Sequence, residues 1–235
     1  MSYPFYIAFG ILPSFVWLLF YLKKDKHPES HKMILKIFFW GMLIAIPAVF
    51  LEMGFFDMVD GFNLPKSLAN ILNVFIGVAF MEELLKYLIV QNHVLYHREF
   101  DEPVDAIIYM IVAALGFAAV ENILILLQLG HAVLWDKAIE ISVFRFVGAT
   151  FLHTLSSGLI GYFLALAIFN KGKRFILIVS GLAIATLLHG LYNFSIMRID
   201  GNFKVLTPLI IIAGLAVFVS FAFKRLHKLE SICKI

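Results

Sequence analysis

Phe80-Met81-Glu82-Glu83-Leu84-Leu85-Lys86 sets two adjacent carboxylates and an ammonium inside an apolar run from Leu68 to Val90. An ionised side chain at a bilayer centre costs at least ~2.5–3.5 kcal/mol, so such groups normally face a protein interior or a wet cavity. Glu82 and Lys86 are four residues apart, which puts a carboxylate above an ammonium on one helix face. Glu83 points about a quarter-turn away, toward a neighbouring face. Taken alone, the set reads equally well as a buried ion pair tying helices together.

Three further apolar runs carry polar groups. Phe117-Ala118-Ala119-Val120-Glu121-Asn122 adds a third carboxylate. The next run holds Arg145 near one end, then His153 with Thr154, Ser156 and Ser157. The last holds His189-Gly190-Leu191-Tyr192-Asn193, in which His189 and Asn193 share a face. Each has a bland explanation by itself. A histidine or asparagine can bond across helices, Ser and Thr can bond their own i−4 carbonyls, and Arg145 can snorkel to headgroups or pair with a carboxylate. Desolvating three carboxylates, two imidazoles and an ammonium separately is too costly, however. Their convergence on one hydrated pocket is the economical explanation.

A carboxylate in such a pocket can take a proton from water, with an imidazole sharing it, and a His/Asn pair can stabilise an oxyanion. That set suits attack of water on an amide carbonyl. A serine nucleophile does not fit, because Ser156 and Ser157 lack a base at suitable spacing from His153. Neither a Gly-x-Ser-x-Gly elbow nor a His-Glu-x-x-His zinc motif is present. A zinc ion held by His153, His189 and Glu121 is the alternative, since these are legitimate ligands. Lys86 argues against it, because its ammonium competes for Glu82 and repels a cation. The expectation is therefore a glutamate-type hydrolase without a cofactor.

The elements that must position these groups are membrane helices. The 235 residues are 62% hydrophobic and 15% charged, against about 45–50% and about 25% in soluble domains. Seven spans of adequate length are expected, at about 3–22, 33–53, 68–90, 104–129, 140–169, 175–197 and 205–223. They make one all-α integral membrane domain over 1–235, its motif-bearing core at about 68–197. The first apolar run has no basic segment ahead of it, so no cleavable signal peptide is expected. Lone Cys233 excludes a disulfide framework within the chain, and a formal charge of +3 is too small to suggest nucleic acid.

Lys and Arg set the expected orientation. Thirteen fall in the odd-numbered loops and C-terminus, four on the opposite side. The N-terminus is then outside and the C-terminus cytoplasmic, in a multi-pass protein of the cell membrane. Glu121, His153 and His189 fall in the outer halves of their spans. Glu82 falls lower if its helix enters the hydrocarbon at Leu68, and rises toward them if entry is nearer Val74. Glu52, with Asp57 and Asp60, is expected at the interface, Asp101 as a helix cap, and His93, His97 and His131 near loop ends.

Glu82-Glu83-x-x-Lys86, Phe117-x-x-x-Glu121-Asn122, the histidine of the fifth span and His189-x-x-x-Asn193 resemble the motifs of the PrsW family of intramembrane proteases. These belong to the clan of CAAX-processing and Abi membrane proteins. The resemblance covers roughly residues 75–195, in family order. In the CAAX branch an arginine stands one place later than Lys86 and the second motif ends in histidine, so Lys86 and Glu121 favour PrsW. The resemblance implies that Glu82 or Glu83 activates water, that His189 with Asn193 holds the oxyanion, and that His153 is a second catalytic imidazole or a ligand. Lys86, Glu121, Asn122 and Arg145 would support them. Members shed the extracytoplasmic part of single-span regulators such as anti-sigma factors, and the clan has been described both as metalloproteases and as metal-independent glutamate proteases. The competing reading is a non-enzyme, a sensor or proton-coupled transporter using the same cluster, although the internal repeats common in transporters are not evident.

Overall fold

The computed structural model describes residues 3–128 and 135–229; the histidine at 131 and the cysteine at 233 fall outside them. Among the described residues every regular element is helical. In chain order they are α1 (Tyr3–Leu22), α2 (His31–Gly61), α3 (Lys66–Leu72), a π-helical segment (Asn73–Phe80), α4 (Met81–His93), α5 (Pro103–Gln128), α6 (Trp135–Val147), α7 (Ala149–Phe169), α8 (Arg174–Arg198) and α9 (Phe203–Leu226). Taken as continuous rods, with α3 through α4 as one and α6 with α7 as another, they make seven helices long and apolar enough to cross a membrane. The chain is a multi-pass protein of the cell membrane.

Local chemistry explains where the helices start. Ser30 caps α2, its Oγ accepting from the Met33 N–H at 3.2 Å. At the start of α5 the acceptor is Asp105, which takes the N–H groups of Asp101 and Glu102 at 3.0 and 2.7 Å. Asp101 therefore contributes its backbone N–H there, and the capping carboxylate expected of it belongs to Asp105.

Three spans depart from their expected form. The second runs past residue 53 to Gly61, because Phe55 and Phe56 still have Gly77 to pack against. The third is interrupted by the π-helix at Asn73–Phe80, immediately before Met81 and the two glutamates. Such widened turns often sit at functional sites. The fifth is broken in two at Gly148, where φ is −102° and ψ −98°. A side chain there would collide with Tyr192 Oη and the Phe144 carbonyl, so the break needs a glycine.

Helix α5 is the axis of the bundle and is buried almost all round over its first four turns. Gly41 of α2 lies on the Ala113 backbone, and Gly116 of α5 lies on the backbone of Phe38. Small residues let the two backbones touch, the usual way for helices to associate where lipid supplies no hydrophobic drive. Helix α7 packs on another side of α5, its Gly161 against Ala106 and Ile107. These contacts fix the heights at which α5 and α7 present their polar groups.

Candidate active site

Five helices bring their polar groups to one place. Lys86 is fully buried, and its Nζ donates to Glu82 Oε2 at 3.1 Å, Glu83 Oε1 at 3.0 Å and His153 Nδ1 at 2.8 Å. All three of its N–H bonds are used. The ammonium also lies 4.5 Å from the centre of the Phe117 ring, whose face attracts a cation. The helical spacing thus puts Lys86 on both glutamates instead of Glu82 alone.

The partners assign the imidazole tautomers. His153 Nδ1 accepts from the ammonium, so the proton sits on Nε2 and is donated to Glu121 Oε2 at 2.7 Å. His189 Nδ1 faces Glu83 Oε1 at 2.9 Å and donates to it, leaving Nε2 as the acceptor. The two rings meet edge to face at 4.9 Å. Glu82 Oε2 lies 3.5 Å from His153 Nδ1 and 3.9 Å from His189 Nε2. Both imidazole lone pairs therefore lie near the same carboxylate oxygen.

Behind them stands a second set. Glu83 is wholly buried and accepts four hydrogen bonds: Lys86, His189 and Ser156 (3.0 Å) on Oε1, Ser157 (2.9 Å) on Oε2. Ser156 and Ser157, which the sequence offers as unsuitable nucleophiles or as partners of their own i−4 carbonyls, are the hydroxyls that make a buried carboxylate tenable. Their adjacency is the signal: consecutive residues can cover two oxygens of one carboxylate. Arg145 does not snorkel outward. Its guanidinium reaches Glu121 Oε2 at 3.1 Å, and its Nε donates to Asn122 Oδ1. Asn122 Nδ2 in turn donates to the Gly10 carbonyl at 3.2 Å and Thr150 Oγ1 at 3.0 Å, tying α1, α5, α6 and α7 together.

Two residues stand apart from these hydrogen bonds. Asn193 lies one helical turn from His189 and is half-buried, yet among the described residues no hydrogen bond joins it to the cluster. Glu52, expected at the interface, is half-buried on α2 and within electrostatic reach of Glu121 and Lys86.

The donors fit a divalent cation. One ligand atom from each of Glu82, His153 and His189 lies within 4.8 Å of the others. Each imidazole has its rear N–H on a carboxylate, the arrangement that orients histidine ligands in zinc sites. Glu121, expected from the sequence among any ligands, stands behind His153 instead, and Glu82 takes its place. Two of these donors, Glu82 and His153, are shared with the Lys86 ammonium, so a cation and Lys86 compete for them.

Fold and site together define a polytopic membrane protein whose bundle core holds a carboxylate–histidine centre. A family model described as "PrsW family intramembrane metalloprotease" matches residues 29–223. The chain belongs to the PrsW family of intramembrane proteases. It is similar to Protease PrsW of Bacillus subtilis, 30% identical over 207 residues that cover 87% of this chain and 88% of that one. The Geobacillus kaustophilus protein of the same name is 30% identical, covering 81% and 79%. That of Oceanobacillus iheyensis is 28% identical, covering 88% and 89%. No solved structure matches.

Proposed function

We propose that this protein is an endopeptidase cleaving membrane-anchored proteins, single-span ones in particular, and that Glu82, His153 and His189 hold a zinc-class cation. The observation that carries this reading is the pair of imidazoles, each fixed from behind by its own carboxylate, with both lone pairs turned to Glu82 Oε2. Such a cation, when bound, polarises a carbonyl and acidifies water. The chain's own residues do the rest. Glu121 and Glu83 keep His153 and His189 in the required tautomers, and Arg145 with Asn122 keeps Glu121 in place. With a cation on His153 Nδ1, Lys86 would keep its bond to Glu83 and have an N–H to offer the oxygen on which charge develops. The Lys/Arg asymmetry of the loops supports an outside N-terminus, which puts the centre in the outer half of the membrane.

A second reading has its own observation. Lys86 already occupies two of the three donors, Glu82 and His153, which suits a metal-independent glutamate protease with Glu82 as the base. Purified protein in detergent, offered a panel of single-span substrates, separates the two when elemental analysis is paired with chelator titration. Stoichiometric zinc whose removal abolishes cleavage and whose return restores it is the expected result. Full cleavage by metal-free protein would sink the metal assignment and leave Glu82 as base.

A further inference from the structure

We propose that Glu52 is the carboxylate that carries the proton in this hydrolysis, taking it from the attacking water and handing it to the leaving amine. The inference rests on the metal-dependent reading above, in which Glu82 is a ligand and a separate group must serve as base.

Position is the first ground. Gly41, Ala45, Ala48 and Glu52 stand at i, i+4, i+7 and i+11 and so form one stripe of α2. That stripe lies on α5: Gly41 touches Ala113, while Ala45 and Ala48 pack with Phe117, Val120 and Leu85. Helix α4 runs the other way along α2, with Trp40 stacked on His93 and Phe56 against Gly77, and these two contacts bracket Glu52 and set it level with Met81, next to Glu82. Glu121, one turn beyond Phe117 on α5, is within electrostatic reach of it. Lys86 stacks on Phe117, and Glu82 is one turn from Lys86 on a helix running the other way. Glu52, Glu82 and Glu121 thus share a layer, and their charges interact.

Elimination is the second ground. Glu83 has no exposure, and both its oxygens are taken by N–H and O–H donors. Glu121 holds the His153 tautomer and the Arg145 guanidinium on Oε2, so protonating it would release both. Lys86 is a donor with its three N–H bonds engaged. Glu52 is half-buried, with no hydrogen bond among the described residues and no cation paired with it. Zinc hydrolases use a carboxylate outside the ligand set for this task. The step balances: the water oxygen bonds to the acyl carbon as its proton passes to Glu52, then the C–N bond breaks and that proton goes to the amine nitrogen.

The test is Glu52→Gln in the full-length protein, assayed on the substrate found by the single-span panel, with zinc content and thermal melting measured on the same preparation. The expected result is a kcat lower by about 100-fold or more, with unchanged KM, zinc content and melting temperature. Glu52→Asp, which retracts the carboxylate by one methylene, should recover part of kcat. Wild-type kcat in Glu52→Gln overturns the proposal. So does a raised KM at unchanged kcat, which would make Glu52 a substrate-binding group, and so does loss of zinc with activity, which would make it a ligand. If Glu52→Gln does not purify, Glu52→Asp at full kcat overturns it. Full activity of Glu52→Gln beside an inactive Glu82→Gln leaves the protease reading standing. Zinc-free cleavage by the wild type removes that reading and this inference with it.

Discussion

Among the described residues two groups of metal-ligating side chains meet the distance requirement for a cation site, and only one is built as a site. Glu82, His153 and His189 are all buried, and every polar neighbour has a task. Glu29, Asp101 and Asp105 come equally close to one another where the α1–α2 and α4–α5 loops meet. There the partners are Tyr109, which donates to Glu29 Oε2 at 2.6 Å, and the backbone N–H groups that Asp105 caps. Among the described residues no imidazole is a member of this group of three, and the hydrogen bonds of Glu29 and Asp105 start helix α5 and seat the α1–α2 loop. Proximity of acidic donors is thus not the mark of a site. The mark is a second layer that fixes each donor's protonation and direction.

The contrast is tested most severely by removing ligands. Glu82→Gln and His189→Ala should each abolish proteolysis and stoichiometric zinc while the protein still inserts and purifies. Glu29→Gln should leave both at wild-type level. Retained zinc in the first two variants, or its loss in the third, would invert the assignment of the two clusters.

The second layer makes the next prediction. Glu83→Gln and Glu121→Gln replace a pure acceptor by a group whose N–H can face the imidazole, which unsettles its tautomer. Activity or zinc affinity should fall about 10–100-fold, with Glu121 the milder case because its side chain is part-exposed. Titrating zinc into chelator-treated protein checks this. An unchanged affinity would mean that the carboxylates behind the rings serve folding alone.

Lys86→Met sharpens the comparison further. Breaking a buried ion pair from one side costs about 3–5 kcal/mol, and here two carboxylates lose their counter-charge. The variant should melt lower than wild type without metal. Added zinc should raise its melting temperature more than it raises wild type's, since the competitor for Glu82 and His153 is gone. Equal zinc shifts in the two proteins would show that Lys86 and the cation do not share donors.

Much of this was legible from residue spacing. The i,i+4 relation of Glu82 and Lys86 and the cost of burying charge in lipid required a single polar cluster, and the helices bring it together. The depth of Glu82 was ambiguous because a span's entry point is not written in its composition. It is settled by Lys86 stacking on Phe117, a contact between helices. Ser156 and Ser157 were passed over because a hydroxyl signals nucleophile or backbone cap, and only the fold reveals a buried carboxylate within reach. Glu52 was assigned to the interface from its place near one end of an apolar run. Packing between helices, which no hydropathy profile carries, sets Glu52 within electrostatic reach of Glu121 and Lys86. The break at Gly148 leaves no trace in hydropathy, because what requires a glycine there is the close approach of the Tyr192 hydroxyl from another helix.

The smallest effect expected is in the loop cluster, and it has a definite sign. Burial holds the Glu29 carboxyl above its usual range, against the opposing influence of hydrogen bonds from Tyr109 and Asp105. A carboxyl raised in the folded state binds its proton there while the unfolded chain has already lost it. Stability therefore falls as pH rises from the unfolded value of 4.5 through the raised folded value. Above that window the folded protein carries the full cost of a desolvated charge. Glu29→Gln removes the charge, keeps an oxygen for Tyr109 and supplies an N–H for Asp105. Its melting temperature should exceed wild type's at neutral pH, and the gap should close as pH drops below the unfolded value. Millimolar calcium should shift neither protein. A calcium-dependent gain in wild type that Glu29→Gln lacks would make the loop cluster a cation site after all, because the missing second layer would then have proved dispensable.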